Sequence, residues 1–457
     1  MPRRRGKRVS YPPEEVLVSE LNHDGAGVVS VKGKKIFVQG ALPNERVLFN
    51  RCSQHSQHDE GQVLKILDPS PDRVEAKCPH FLQCAGCALQ HMSPIVQLHT
   101  KSEILMGHLK KMAGVVLDQF ESTILSAKQY GYRRKARFGV RYVAKKGKVL
   151  VGFRERNGRY LCDMQTCEVL HPSLGRRLDD LSDLIGHLIS YQSIPQVEMV
   201  RGDNGLAWLF RHLMPLLDSD IALLRDFGKN ENIHIYLQSG GDESVRMIWP
   251  DSISPKSMNP ASMASESGHA LLHYAHKDHG FFIGFHPKHF IQVNQDVNQK
   301  MVTQAIEWLK IEAKDRLLDL FAGVGNFALP VAKYAKEVVA LELCEKMVTQ
   351  ISANAAENNL SNVSAYAHNL LEPGKPDALS GSFSAVVLNP PHSGAEVCMA
   401  WLLAMKPKRI LYVSCHALSF SKDAGSLIGG GYSLIKCGLI DMLPHTSHIE
   451  SMALFEC

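Results

Sequence analysis

Near the start of the chain, hydrophobic and polar positions alternate over short distances. Val16-Leu17-Val18, Val28-Val29-Ser30-Val31, Lys35-Ile36-Phe37-Val38, Arg46-Val47-Leu48-Phe49 and Gln62 to Leu67 lie between turn-forming Gly, Pro, Asn and Asp residues. Short strands at this spacing predict a small β-barrel over residues 8–68, an architecture that often presents a face to oligonucleotides. The period then lengthens. Leu98, Ile104, Leu105 and Leu109 among polar neighbours predict an amphipathic helix over 97–113. Residues 130–280 read as mixed α+β, with a loop predicted in the Ser/Met/Pro-rich stretch Ser252 to Ser267. From Asp315 onward, apolar runs alternate with helical patterns: Leu317-Leu318, Val338 to Leu341, Ala385 to Leu388 and Ile410 to Val413. That alternation predicts a doubly wound parallel sheet.

Composition narrows the class. The chain has 457 residues, 45% hydrophobic and 21% charged, which fits a globular protein of two to three domains. No apolar run approaches the roughly 18 residues that a membrane span needs. No apolar segment follows the basic cluster Arg3 to Arg8, so a signal peptide is not expected and a cytoplasmic location is. The net charge of +5 is modest, but cations interleave with aromatics in Tyr132-Arg133-Arg134-Lys135-Ala136-Arg137-Phe138. Such a stretch suits phosphate contact with base stacking, or else a solvated strand face. The eleven cysteines are not expected to form disulfides in a cytoplasmic chain. Cys78, Cys84 and Cys87 crowd into one loop, and Cys162 and Cys167 form a second group. Thiolates at the first spacing suit either zinc or an iron–sulfur cluster.

The candidate chemistry sits at strand ends. Leu317 to Leu320 runs into the glycine turn Phe321-Ala322-Gly323-Val324-Gly325-Asn326-Phe327, where the backbone can approach a ligand. The next strand ends in Glu342, placed to bind vicinal ribose hydroxyls. This combination serves S-adenosylmethionine and dinucleotides alike. Ala385 to Leu388 leads into Asn389-Pro390-Pro391-His392, a rigid turn similar to the substrate-facing loop of many S-adenosylmethionine methyltransferases. Ile410 to Val413 leads to Cys415, and Glu450 recurs in a later polar stretch. A thiol and a carboxylate facing one pocket could supply a nucleophile and a base.

Taken in order, Phe290-Ile291-Gln292-Val293-Asn294, Asp319 to Phe327, Asn389 to Gly394, Tyr412-Val413-Ser414-Cys415 and Pro444 to Glu450 resemble the RNA uracil-5-methyltransferase family. With the cysteine cluster, the resemblance is to its bacterial 23S rRNA branch. It implies a multidomain chain: an N-terminal OB-like β-barrel (TRAM) over 8–68, a central α+β domain with an iron–sulfur cluster over 69–96 and 130–280, and a C-terminal α/β Rossmann-like methyltransferase domain over 97–129 and 281–457. It implies S-adenosylmethionine contacts at Gln292, Phe321, Asn326, Glu342 and Asn369. Asn389 is grouped with these, and its amide can also accept from uracil N3–H and donate to O4. Cys415 matches the nucleophile that adds to uracil C6, and Glu450 the base that removes the C5 proton. Reaching C6 requires the base to leave its stack. Cys78, Cys84, Cys87 and Cys167 match the ligands of a 4Fe-4S cluster, while Cys162 matches none. The implied partner is 23S rRNA, with the protein acting as a monomer and without a membrane.

The chain departs from the family pattern at Asn389 and His392, where Asp and Arg are usual. It departs also at His416, where Asn is usual, and at Ala322, where Cys is frequent. Two other readings follow from the same residues. The Asn389-Pro390-Pro391 turn could hold an exocyclic amine of adenine or guanine for thiol-independent amino-methylation. Alternatively, the chain could bind RNA without catalysis.

Overall fold

A computed structural model describes residues 12–156, 158, 160–250, 272–376 and 379–457. The basic cluster Arg3 to Arg8 and the stretch Ser252 to Ser267 lie outside the described residues. The chain forms two compact units. One takes the chain up to Ile104 with Phe153–Cys162 and Pro444–Ser447; the other takes Leu105–Gly152, Asp163–Leu443 and His448–Cys457.

In the first unit, β1 (Glu14–Leu17), β2 (Glu20–Leu21), β3 (Gly27–Val31), β4 (Lys34–Gln39), β5 (Arg46–Gln54) and β6 (His58–Asp68) hydrogen-bond in the order β1-β5-β6-β4-β3-β2. Alternate residues point inward, and Val29, Ile36, Val38, Val47 and Phe49 share a core with Val18 and Ala41. The buried Glu45 carboxylate accepts from the amides of Leu42 and Ser70 and from Arg73 Nη2 at 2.7 Å, so this charge is paired rather than stranded. Helix α1 (Pro94–Ala113) starts at a proline, which suits the first helical position. The boundary between units falls within it, after Ile104.

The second unit opens with β7 (Ser122–Ile124), β8 (Lys135–Val143) and β9 (Lys148–Gly152). It continues through α2 (Pro172–Gly175), α3 (Leu178–Gly186), β10 (Gln196–Arg201), β11 (Leu206–Arg211), α4 (Asp218–Glu231), β12 (Ile233–Gln238), β13 (Val245–Trp249), β14 (Leu272–His276) and β15 (Phe281–Phe285). These build the sheet β13-β12-β11-β10-β8-β9 and the hairpin β14-β15. The basic–aromatic stretch enters β8, and burial overrides both expectations for its central cations. Arg134 Nε donates to the Gln292 carbonyl at 2.8 Å with its guanidinium 4.3 Å from the Tyr274 ring centroid. Lys135 Nζ donates to the Pro287 and His289 carbonyls. These cations pin the segment that leads to Gln292.

The rest of the unit alternates: α5 (Gln295–Leu309), β16 (Arg316–Leu320), α6 (Ala328–Ala332), β17 (Glu337–Glu342), α7 (Glu345–Glu357), β18 (Val363–Ala367), β19 (Ala385–Leu388), α8 (Glu396–Met405), β20 (Arg409–Ser414), α9 (Ala417–Gly429), β21 (Ser433–Ile440) and β22 (Glu450–Glu456). The sheet order is β18-β17-β16-β19-β20-β22-β21-β7. The strands from β18 to β20 in this order are parallel; β16, β17, β19 and β20 are buried on both faces, which explains their unbroken apolar runs, whereas β18 is the half-exposed edge. The expectation of a wholly parallel sheet fails at β22, which pairs antiparallel with β20, Ser414 opposite Ser451. That reversal has a consequence: β22 begins at the edge of the sheet where β20 ends.

Candidate active site

The C-terminal ends of four parallel strands carry four of the expected cofactor residues. Phe321 follows β16, Glu342 ends β17, Asn369 lies beyond β18 and Asn389 follows β19. The carboxyl edge of such a sheet is where ligands bind. Phe321 adopts φ +62°, a strained value for a residue with a Cβ, and starts a turn completed by Gly323 and Gly325. A Cβ on Gly325 would meet Leu329 Cγ at 2.9 Å, so this position requires glycine for space as well as for φ. Glu342 braces the turn: Oε2 accepts from Gly323 N at 2.9 Å and Oε1 from Cys344 N at 3.1 Å. Asn369 Oδ1 accepts from Leu371 N, and its amide donates to Glu372 at 2.7 Å.

Asn326 sits in a buried network. Its Oδ1 accepts from Tyr274 Oη at 2.9 Å and Asn298 Nδ2 at 2.8 Å, and its own amide donates to Asn298 Oδ1. His276 Nε2 lies 3.2 Å from the same oxygen, and burial pushes this imidazole down to about 4. Asn298 was not singled out from the sequence. Its signal was a polar residue inside the buried stripe Val297, Met301, Val302 of α5. Asp319 was likewise read only as part of a motif. It is fully buried, accepts from Ala328 N at 2.9 Å, and is raised to about 8 by burial and then by the nearby Glu342 charge.

Cys415 follows β20 and is half-buried, while Glu450 opens β22 and is buried. The antiparallel register ends at the Ser414–Ser451 pair, so Cys415, next after Ser414, and Glu450, just before Ser451, lie at one edge of the sheet. Burial, and then the Glu450 charge, raise the Cys415 thiol above its usual range. The main-chain N–H of Asn389 donates to the Leu320 carbonyl at 3.3 Å. The turn after it is tied to α9: Asp423 Oδ2 accepts from Ala395 N at 2.7 Å and from Tyr412 Oη. Gly394, at φ +85°, passes so close that a Cβ would meet Asp423 Oδ2 at 2.8 Å. Asp423 was not anticipated from the sequence. His392 and His416 stack, with ring centroids 3.6 Å apart.

Cys78, Cys84 and Cys87 are buried in the first unit, and Cys162 of the same unit is buried as well. Cys167 belongs to the second unit, where its amide donates to the Gly175 carbonyl at 2.9 Å. Arg156 lies among the first three thiols, donating to the carbonyls of Phe81, at 3.1 Å, and Cys87. Burial raises the Cys84 thiol, assisted by Cys78 and opposed by Arg156. Among the described residues, the one set of three or more His, Cys or carboxylate ligand atoms lying within 4.8 Å of one another is His55, His58 and Glu60. Among the described residues, no three thiol sulfurs lie within 4.8 Å of one another.

A family model described as tRNA (Uracil-5-)-methyltransferase matches residues 272–369. The 23S rRNA (uracil(1939)-C(5))-methyltransferase RlmD of Hahella chejuensis is 40% identical, covering 98% of this chain and 99% of that protein. The RlmD proteins of Nitrosococcus oceani, 40% identical over 98% of this chain and 97% of its own, and of Alcanivorax borkumensis, 38% over 99% and 98%, are similar. The solved Pyrococcus abyssi tRNA (uracil-54, C5)-methyltransferase in complex with S-adenosyl-L-homocysteine has a TM-score of 0.70 at 20% identity, covering 97% of this chain and 100% of that chain. The two therefore share a fold. With relatives this similar over nearly its whole length, the chain belongs to the RNA uracil-5-methyltransferase family.

Proposed function

We propose that this protein methylates C5 of a uridine in 23S rRNA with S-adenosylmethionine as donor. The observation that carries the reading is the thiol of Cys415 and the carboxylate of Glu450 at one sheet edge, beside the Asn389 turn, in a chain whose relatives carry that activity in their names. The cofactor supplies an electrophilic methyl group. The residues that would hold it are Gln292, Phe321, Asn326, Glu342 and Asn369, with Asn389 at the border with the substrate. The glycine turn lets the backbone approach closely, and Glu342 has lone pairs left for a ribose diol.

Uracil C5 is a poor nucleophile. The Cys415 thiolate adds at C6, forming a C–S bond and pushing the ring electrons onto C5 and O4. C5 is then nucleophilic enough to take the methyl group. Glu450 accepts the C5 proton, the C6–S bond breaks, and the thiolate is regenerated. Asn389 accepts from N3–H and donates to O4 of the flipped base. The test is methyl incorporation into an unmodified 23S rRNA transcript. Wild type incorporates one methyl as 5-methyluridine, and C415S falls to background. Full activity in C415S would instead support the amino-methyltransferase reading that the Asn389-Pro390-Pro391 turn allows.

The first unit's sheet fits an RNA-binding TRAM-type barrel. Its buried thiols Cys78, Cys84 and Cys87 offer three of the four thiolates of the 4Fe-4S cluster that the family resemblance implies. Cys78, Cys84, Cys87 and Cys167 would hold it, and the methyl transfer requires no electron from it. A cytoplasmic monomer acting on 23S rRNA completes the reading. No helix among the described residues is long and apolar enough to cross a membrane.

A further inference from the structure

The stacked pair His392 and His416 has no part in the chemistry above. Its planes are 26° apart and its centroids 3.6 Å, so the rings lie face to face. His416 is also the N-cap of α9: Nδ1 accepts from Ser419 N at 3.4 Å and lies 3.0 Å from Ser419 Oγ. A nitrogen that accepts carries no proton, so the ring is the Nε2–H tautomer. Its face carries the His392 ring. One ring thus holds the first turn of α9 on one side and the turn after β19 on the other.

We propose that His416 is a positioning residue, whose neutral imidazole locks the Pro390-Pro391-His392 turn to α9 and so sets Asn389 relative to Cys415. The proposal rests on the reading of Cys415 as nucleophile. β19 and β20 are paired in register, Leu388 opposite Tyr412, but the ladder stops there. Pro390 and Pro391 have no N–H to extend it. Side chains must anchor the turn, and two do. Asp423 holds the distal end at Ala395, and His416 holds the proximal end at His392. Both act from α9, which begins two residues after Cys415, so nucleophile and turn share a single support.

The lock is sensitive to a proton. Protonation places a hydrogen on Nδ1, which ends the cap and sets a positive charge at the positive end of the helix dipole. The groups facing His416 are His392 on the turn, His108 on α1 and His448 before β22, with Cys415 adjacent; none of the three facing side chains is a carboxylate. Burial and then these histidines hold His416 below its usual value, so the lock stays closed at neutral pH.

Two variants test the lock. H416N keeps a good N-cap residue but has no ring to stack on His392. H392A removes the other ring. H416N is expected to melt as the wild type does. Its kcat on unmodified 23S rRNA transcript should fall by about 10- to 100-fold, the scale of a small misplacement, with KM for RNA unchanged. The fall in kcat expected of wild type as the solution is made acidic should vanish. The double variant H392A/H416N should lose no more than H416N alone, because the two rings act as one unit. Wild-type kcat and pH profile in H416N, or losses that multiply in the double variant, would overturn the lock. An inactive C415S beside a normal H416N removes this inference alone, whereas an active C415S removes the nucleophile reading beneath it.

Discussion

Cys415 is an awkward thiol to ionise. Burial and the Glu450 charge both raise it, so the reactive thiolate becomes more populated as pH rises beyond the ordinary ~8.5 of a free cysteine. kcat/KM should therefore climb with pH through that range. The same pair makes a sharper prediction. E450Q removes a negative charge beside the thiol, which lowers the Cys415 pKa. Alkylation of Cys415 by iodoacetamide at pH 8, followed on its own peptide by mass spectrometry, should speed up by roughly two- to tenfold. Methyl transfer should be lost in the same variant. Slower or unchanged alkylation would separate Glu450 from the thiol. Cys415 and Glu450 were both visible in the sequence as isolated side chains. Their mutual effect was not, since it depends on strand β22 running antiparallel to β20.

At the scale of elements, the β16–turn–α6 segment holds its own titration switch. Asp319 on β16 is fully buried and accepts the Ala328 amide at the start of α6, with its pKa raised to about 8. The folded protein thus holds one more proton than the unfolded chain from about pH 4 to 8. This group's contribution to stability is fully present below pH 4 and falls as pH rises through the window. D319N keeps an oxygen for Ala328 and does not ionise. Denaturant titrations should find D319N gaining on wild type by up to about 1.4 kcal/mol per pH unit between pH 5 and 7. A constant difference would mean that Asp319 is ionised in the fold. The apolar runs made β16, β17, β19 and β20 legible, because parallel strands covered on both faces have no polar side to confuse the pattern, whereas the half-exposed edge strand β18 was not picked out. The reversal at β22 was not legible, since an apolar run carries no direction.

On the scale of the whole molecule, the two compact units divide the chemistry. Cys78, Cys84, Cys87 and Arg156 belong to the first, Cys415 and Glu450 to the second. Protein purified without oxygen should be brown and contain about four irons per chain, as one 4Fe-4S cluster requires. C84S should lose the iron and the visible absorbance while Cys415 alkylation continues at the wild-type rate. Zinc in place of iron would refute the cluster. Some of this was set by the chain alone. Glycines at Gly323 and Gly325, prolines at Pro390 and Pro391, the spacing of the first cysteines and the apolar runs are local constraints on backbone and burial. They specify the α/β class, the strand-end motifs and the family without reference to distant residues. What distant residues do to one another was decided only by the tertiary structure. Arg134 and Lys135 read as a solvated or RNA-facing cluster, yet Arg134 is buried and Lys135 half-buried, each donating to carbonyls of residues 287–292. His416 read as a departure beside a thiol, and packing makes it a cap and a ring partner for His392. The physical reason is the same in each case. A side chain's identity fixes which bonds it can make, but only the fold fixes which groups come within bonding distance and how much water is left between them.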